Sequence, residues 1–491
     1  MLYTKSQMAI WKNLTKFAFM RKSANWATLL LKTFTAIYWV HSLVACANIV
    51  PPSGGPRDSI PPYRIYAKPK DSATNVQPKE ILIAFNEYIN TTNLQTHLVV
   101  NPALKNIPLI ESKLNTLRIR IRDTLNANTT YQFQFGDAIG DVNEGNIAQN
   151  FTYVFSTGEY LDTGKIQGTV QIAETGKIDS TLIVVLHPVG NDTAIYKNKP
   201  LYYTKLNGKG KFGFDFLPFT HYNLFVIPND YAKKYDDSTK LFAFNNIPIN
   251  ANRKGDSIRL YAFQAFAKAE KKKSINKSQL KRYTPTLKYS KDLDGLEQDL
   301  LHPLHLLFET PIFINDSFPI VLTDTLNKPI ANFIVKKDSA NSNTLTIEHD
   351  WKANTPLRLI IPQHAIKDSL NNFLVKTDTL KFKTKQLTAY GSCVIRITGY
   401  EQFNNPILFL TQDEKIKFKF PITQNLLNIN QLPAGDFQLK ILEDGNKNGI
   451  WDTGKYGFGF GMKQPEIVHL LPYQLNIKGD WENELNITIN K

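Results

Sequence analysis

From residue 61 onward, apolar and polar side chains alternate in short runs separated by turn residues. Leu117-Arg118-Ile119-Arg120-Ile121-Arg122, Tyr131-Gln132-Phe133-Gln134-Phe135 and Ile416-Lys417-Phe418-Lys419-Phe420 place every second side chain on one face, the period of a half-buried strand. Leu182-Ile183-Val184-Val185-Leu186 is continuously apolar, as expected of a strand covered on both faces. Asn, Asp, Gly and Pro clusters separate these runs at sandwich-like intervals, and helical periodicity is almost absent. The pattern predicts an all-β chain of tandem β-sandwich domains.

The pattern also repeats. Ala127-Asn128-Thr129-Thr130-Tyr131 aligns with Ala353-Asn354-Thr355-Pro356-Leu357. Ala138-Ile139-Gly140-Asp141 aligns with Ala365-Ile366-Lys367-Asp368, and Phe155-Ser156-Thr157 with Phe382-Lys383-Thr384, both at an offset of 227. A second repeat follows each of these: Leu217-Pro218, Tyr222 and Leu224 match Leu432-Pro433, Phe437 and Leu439 at an offset of 215. The expected order is A–B–A′–B′, with A at 61–158, B at 164–264, A′ at 302–385 and B′ at 388–491. A basic segment at 265–300 is read as a linker that keeps the halves apart.

Ahead of this array lies a different kind of segment. Six Lys/Arg and no acid precede residue 46, and an apolar run from Thr33 to Val40 leads to Leu43-Val44-Ala45-Cys46. The run is too short to cross a hydrocarbon core of about 30 Å and reads as a secretory signal over 1–45. Met20, directly before Arg21-Lys22, would give a leader of ordinary length and is taken as the expected start. The four residues ending in Cys46 resemble a bacterial lipobox. The resemblance implies that the Cys46 thiol is lipidated and that the Pro/Gly-rich residues 46–60 tether the chain to a membrane.

Charge and cysteine content narrow the function. The formal net charge is +15, but six of those charges sit in the leader and a net of eight lies between Lys268 and Lys291. No domain is broadly basic, so a nucleic-acid partner is not expected. That basic block is read as a solvated linker, with an acidic partner or lipid phosphates as the alternative. With Cys46 consumed by lipid, Cys393 has no partner and is expected to be a small buried hydrophobe. His302 and His305 lie three apart with Pro303 between them and lack a third ligand for zinc. No nucleophile turn, His-Glu-x-x-His or phosphate loop occurs, so no enzyme is expected.

Residues 61–158 resemble the bacterial Ig-like domain of surface-layer proteins and Bacteroidota envelope lipoproteins. Pro61-Pro62, Ile81-Leu82-Ile83-Ala84-Phe85-Asn86-Glu87, the Ala127–Tyr131 corner and Phe155-Ser156-Thr157-Gly158 carry the resemblance. The copy in A′ is weaker, with Pro356 in place of a Thr and no Phe-Asn-Glu at the expected position. The B units resemble transthyretin-like or carboxypeptidase-regulatory-like sandwiches through the Leu-Pro-x-x-x-aromatic hairpin. These resemblances imply no catalytic residues. They imply spacers and binding modules: a scaffold for an envelope protein complex, or an accessory that captures glycan or protein substrate. Ala47 in place of Asp implies the outer membrane, and the unacidic run Ala47-Asn48-Ile49-Val50 favours the periplasmic face over the cell surface.

One motif carries candidate chemistry. In Asp444-Gly445-Asn446-Lys447-Asn448-Gly449-Ile450-Trp451-Asp452, oxygen-bearing side chains stand at positions 1, 3, 5 and 9, with Gly at 6. That is the spacing of a Ca²⁺ loop, with the Ile450 carbonyl at position 7. Position 12 is Lys455, so the loop is not an EF-hand; Glu443 and Glu466 are the remaining acidic donors nearby. Two readings stand: a Ca²⁺ site, or a turn of Asn and Gly chosen for left-handed angles and self-bonding side chains. In B, Asn229, Tyr231 and Lys233 occupy the places of Asp444, Asn446 and Asn448. Asp137, Asp141, Asn143 and Glu144 crowd a turn in A, read as solvated, with a second cation site as the alternative.

Overall fold

The computed structural model describes residues 30–35, 57–190, 193–251, 257–265, 286–338, 341–457 and 461–489. Cys46, the tether residues 51–56 and most of the basic segment lie outside them. The chain forms two compact units, residues 1–61 with 141–146, and the remainder. In the first, residues 30–35 form a helical turn exposing Leu30, Leu31 and Phe34. There too, Arg57 donates to the Glu144 carbonyl and Asn146 Nδ2 to the Asp58 carbonyl, both at 3.0 Å.

The second unit is all-β and duplicated as expected. In A, a four-stranded sheet runs Arg64–Lys68, Glu80–Phe85, Thr116–Arg120, Leu109–Lys113. It faces Val99–Asn101, Thr130–Gly136 and Phe151–Ser156. In A′ the counterpart is Tyr289–Lys291, Leu304–Phe308, Thr344–His349, Phe333–Lys337, facing Glu297–Gln298, Asp378–Thr384, Pro356–Ile361 and Val321–Thr323. Alternation explains the cores. Ile81, Ile83 and Phe85 point inward beside Leu117 and Ile119, while Arg118 and Arg120 reach out to Glu80 at 3.3 Å.

The repeated corner is the same device twice. Thr157 Oγ1 accepts the Thr129 N–H at 2.9 Å, and Thr384 Oγ1 accepts the Thr355 N–H at 2.8 Å. Asn128 and Asn354 both hold left-handed angles, φ 49 and 55°. In A the Tyr131 hydroxyl also accepts the Asn126 N–H at 2.9 Å, a bond that Leu357 cannot make.

B and B′ share a topology as well. The strand Gly164–Ile172 lies between antiparallel Lys211–Leu217 and parallel Ile258–Ala262; Tyr390–Thr398 lies between Leu426–Pro433 and parallel Glu482–Thr488. The opposing sheets run Tyr202–Lys205, Leu182–Pro188, His221–Pro228, Ala243–Phe244 and Lys415–Pro421, Pro406–Gln412, Gly435–Glu443, Ile467–Ile477. Leu182, Val184 and Leu186 enter the sandwich core while Ile183 and Val185 enter a second cluster behind the sheet, so the apolar run is covered on both faces. Cys393 stands at the place of Ile166 and is buried; burial pushes its thiol up to about 11.

Two expectations need correction and one holds in a modified form. Residues 286–300 are not linker: Tyr289–Lys291 and Glu297–Gln298 pair into the sheets of A′, with Leu287 buried. Their lysines hid two short strands. As read from the sequence, A′ has no Phe-Asn-Glu at the expected position; Phe308-Glu309-Thr310, at an offset of 223, takes its structural place. Its Phe308 N–H bonds the Asn343 carbonyl as Phe85 bonds that of Asn115. Third, the strand Lys415–Pro421 does not bury every second residue. A register shift at Thr411, opposite Ile416, leaves Ile416 exposed on the sheet edge.

Candidate functional site

The halves are not held apart. B and B′ pack on one another, and the element that joins them grows out of the candidate cation loop. After Asp452 the chain turns into a hairpin closed by reciprocal Lys455–Lys463 backbone bonds of 2.8 and 2.9 Å. Tyr456 on this hairpin sits among Phe225, Phe242 and Phe244 of B, with ring centroids 5.6, 5.0 and 4.9 Å away. Thr453 donates to the Gln264 carbonyl at 2.5 Å, Gln464 to the Phe244 carbonyl at 3.0 Å, and the Val468 N–H to the Ala173 carbonyl at 2.7 Å. Glu414 adds a charged link, 2.5 Å from Lys177 of B and 3.6 Å from the buried Lys440 of B′. The aromatic face behind the sheet of B is thus covered by side chains of B′.

Inside the loop, Asp444 is buried. Its two oxygens accept the N–H groups of Asn448 (3.2 Å) and Gly449 (2.7 Å). The Asn446 and Asn448 amides both donate to Asp452 Oδ2, the latter at 3.4 Å. Their own carbonyl oxygens accept the N–H groups of Asn448 (3.0 Å) and Ile450 (2.8 Å). The Ile450 side chain is exposed. Glu466 closes the mouth: Oε1 accepts from Gly445 at 2.9 Å and Oε2 from Asp452 at 3.0 Å. Asp444, Asn446, Asn448 and Asp452 are therefore brought together, in the self-bonded arrangement of an Asx-rich turn. Glu443 turns away to His469 at 2.5 Å. A Ca²⁺ ion fits this donor set only with the two amides rotated so that oxygen, not nitrogen, faces Asp452. Among the described residues no cluster of three or more His, Cys, Asp or Glu is placed to hold a metal.

The same loop in B is organised by a side-chain cation. Lys240 Nζ lies 2.8 Å from Asp230 Oδ2 and 2.8 Å from Asp236 Oδ1. Those two bonds raise the Lys240 pKa above its ordinary value. Burial opposes the charge of Asp230, but Lys240 and the Lys233 N–H outweigh it and hold the carboxyl below its usual range. Of the two acids named from the sequence, Glu466 reaches the loop and Glu443 does not, whereas Lys240 lies beyond the motif, carries no sequence signal, and reaches its loop only through the fold.

The other expected groups are accounted for locally. Asp141 accepts N–H bonds from Glu144, Gly145 and Asn146 at 2.7–2.9 Å. Burial works against its charge, yet those bonds leave the carboxyl below its usual value. Asp368 repeats the arrangement with Leu370 and Asn372 at 2.8 and 2.9 Å. His305 pairs with Asp292 at 2.7 Å, whereas the His302 ring lies 5.4 Å from that of Phe418. The two imidazoles have separate partners.

Residues 58–157 match the family model described as bacterial Ig-like domain, a match that spans A. Among curated proteins, none matches the chain. Among solved structures, the Bacillus anthracis TIE protein is similar at 12% identity over 90% of this chain and 76% of that one, with a TM-score of 0.16. BcpA, the major pilin subunit of Bacillus cereus, is similar at 8% identity over 67% of this chain and 100% of that one, with a TM-score of 0.17. The N-terminal part of the bacterial S-layer protein SbsC follows at 10%, 35% and 42%, with a TM-score of 0.15. At these scores the likenesses carry no argument about arrangement or activity.

Proposed function

We propose that this chain is a non-catalytic envelope lipoprotein, anchored through Cys46 to the outer membrane on its periplasmic face, that serves as a scaffold for an envelope protein complex. The observation that carries the reading is a lipobox-like cysteine and a short tether directly ahead of an Ig-like domain. Two Ig-like modules, each followed by a sandwich and with those sandwiches packed together, offer paired loop ends for a partner. We further infer Ca²⁺ at Asp444, Asn446, Asn448, Ile450 and Asp452; the oxygen-rich donor spacing supports it, and the ion would stiffen the loop from which the Tyr456 hairpin springs.

The test is affinity capture of the full-length protein from detergent-solubilised membranes, with mass spectrometry of its N-terminal peptide. A diacylated or triacylated Cys46 and a stoichiometric membrane partner are expected. An unmodified thiol in a soluble protein would remove the reading. Retention of glycan with no protein partner would replace scaffold by substrate capture.

A further inference from the structure

The first strand of A is an edge strand, and its outward surface is unusually apolar. Arg64–Lys68 pairs only with Glu80–Phe85 in its sheet, with a register shift between Arg64 and Tyr66. The shift leaves both Ile65 and Tyr66 59% exposed. Tyr63, just before the strand, is tied to Asn86, two residues ahead of Tyr88, by two bonds of 2.7 and 3.1 Å. Tyr63 and Tyr88 are 58% and 57% exposed. Tyr63, Ile65 and Tyr66 thus stand exposed along this edge strand and the residue before it, followed in the chain by the exposed Lys68 and Lys70. Of the acids nearby, Asp71 is taken by Arg64 at 2.8 Å, and Glu87, beside Tyr88, accepts from the Asn86 amide at 3.1 Å.

We infer that this edge is a docking surface for the lipid headgroup layer. The inference rests on the anchor reading of Cys46. Tyrosine prefers the membrane–water boundary because its ring is apolar and its hydroxyl wet, and lysines beside it meet lipid phosphates. The covalent geometry adds the decisive constraint. Tyr63 lies seventeen positions after Cys46, at most about 60 Å when fully extended and far less for a coiled tether. An acyl anchor therefore holds this edge at a local concentration of about millimolar at the bilayer, where weak contacts suffice. The surface would set which way A faces when the lipoprotein is seated.

The experiment uses the full-length acylated protein in vesicles of phosphatidylethanolamine and phosphatidylglycerol. A nitroxide is attached at Lys68→Cys and, for comparison, at Leu326→Cys, an 85%-exposed position in A′; the native Cys393 is buried and stays unlabelled. Collision with oxygen relative to a water-soluble nickel chelate should be about threefold higher at 68 than at 326, and Tyr63→Ser with Tyr66→Ser should abolish the difference. Equal, water-like values at both positions in protein that floats with the vesicles would overturn the docking surface and leave the anchor standing. Protein that fails to float, with Cys46 free by mass spectrometry, would overturn the anchor and this inference with it.

Discussion

B and B′ are built on one topology and differ in how they settle the same loop. In B, Lys240 supplies a positive charge between Asp230 and Asp236. In B′ the acids are settled by backbone N–H groups and amides, with Glu466 recruited from the far side of a hairpin. The difference has a structural consequence. The loop of B stays within B, whereas that of B′ extends into the hairpin that covers the aromatic face of B. Repetition supplied the frame, and divergence at one loop made one copy dependent on the other.

The largest effect should come from breaking that dependence. Tyr456→Ala removes a ring packed on Phe225, Phe242 and Phe244. A loss of about 3 kcal/mol is expected for such a truncation in a core. Hydrogen exchange should show it as lost protection in Leu182–Pro188 and His221–Pro228 of B, although the substitution is in B′. Unchanged protection there would mean that B is self-sufficient and that the interface is incidental.

A smaller effect sharpens the loop comparison. Asp444→Ala removes a buried carboxylate and leaves the Gly449 N–H without its acceptor, the Asn448 N–H keeping Asn446 Oδ1, and should cost about 1–2 kcal/mol, while Asn229→Ala at the corresponding place in B should cost less than about 0.5 kcal/mol. If Ca²⁺ is bound, removing it with a chelator should raise hydrogen exchange across residues 444–452 and leave 229–240 unchanged. Local exchange is the right measure because B and B′ share a core and should unfold together. Equal insensitivity of both loops to chelation leaves the self-bonded turn as the whole account.

The sequence showed what is local and lost what depends on contact between repeats. The Ala-Asn-Thr corner was legible because a left-handed Asn and a back-bonding Thr fix a turn wherever they occur, as Thr129 and Thr355 do alike. Asp141 and Asp368 were legible for the same reason. Phe308, with a different following pair, takes the place of Phe85 off the constant offset, because an offset holds only where the intervening loops keep their length. The strand at Tyr289 was missed because lysine-rich composition outweighed two apolar positions. The packing of B on B′ left no periodic trace: it rests on Tyr456 in a Gly-rich hairpin and on backbone carbonyls, which any sequence can offer. In the loop itself the motif gave the donors, but whether an amide shows oxygen or nitrogen to Asp452 is decided by rotation, not by spacing.

The smallest effect tests the built-in cation of B. Lys240→Met should cost about 0.5–1 kcal/mol near neutral pH, the range for partly exposed ion pairs. The signs follow from the shifts. Asp230 is held below its ordinary value, so its contribution is full above about pH 4 and is lost as pH falls through the depressed folded value. Lys240 is raised, so its contribution is full below about pH 10 and is lost as pH rises through the elevated folded value. Urea unfolding of native and Lys240→Met proteins should therefore differ across a plateau from about pH 5 to 9 and converge in acid. A difference that persists at pH values where Asp230 is protonated would assign the role of Lys240 to the packing of its stem, and the two loops would then differ in shape more than in charge.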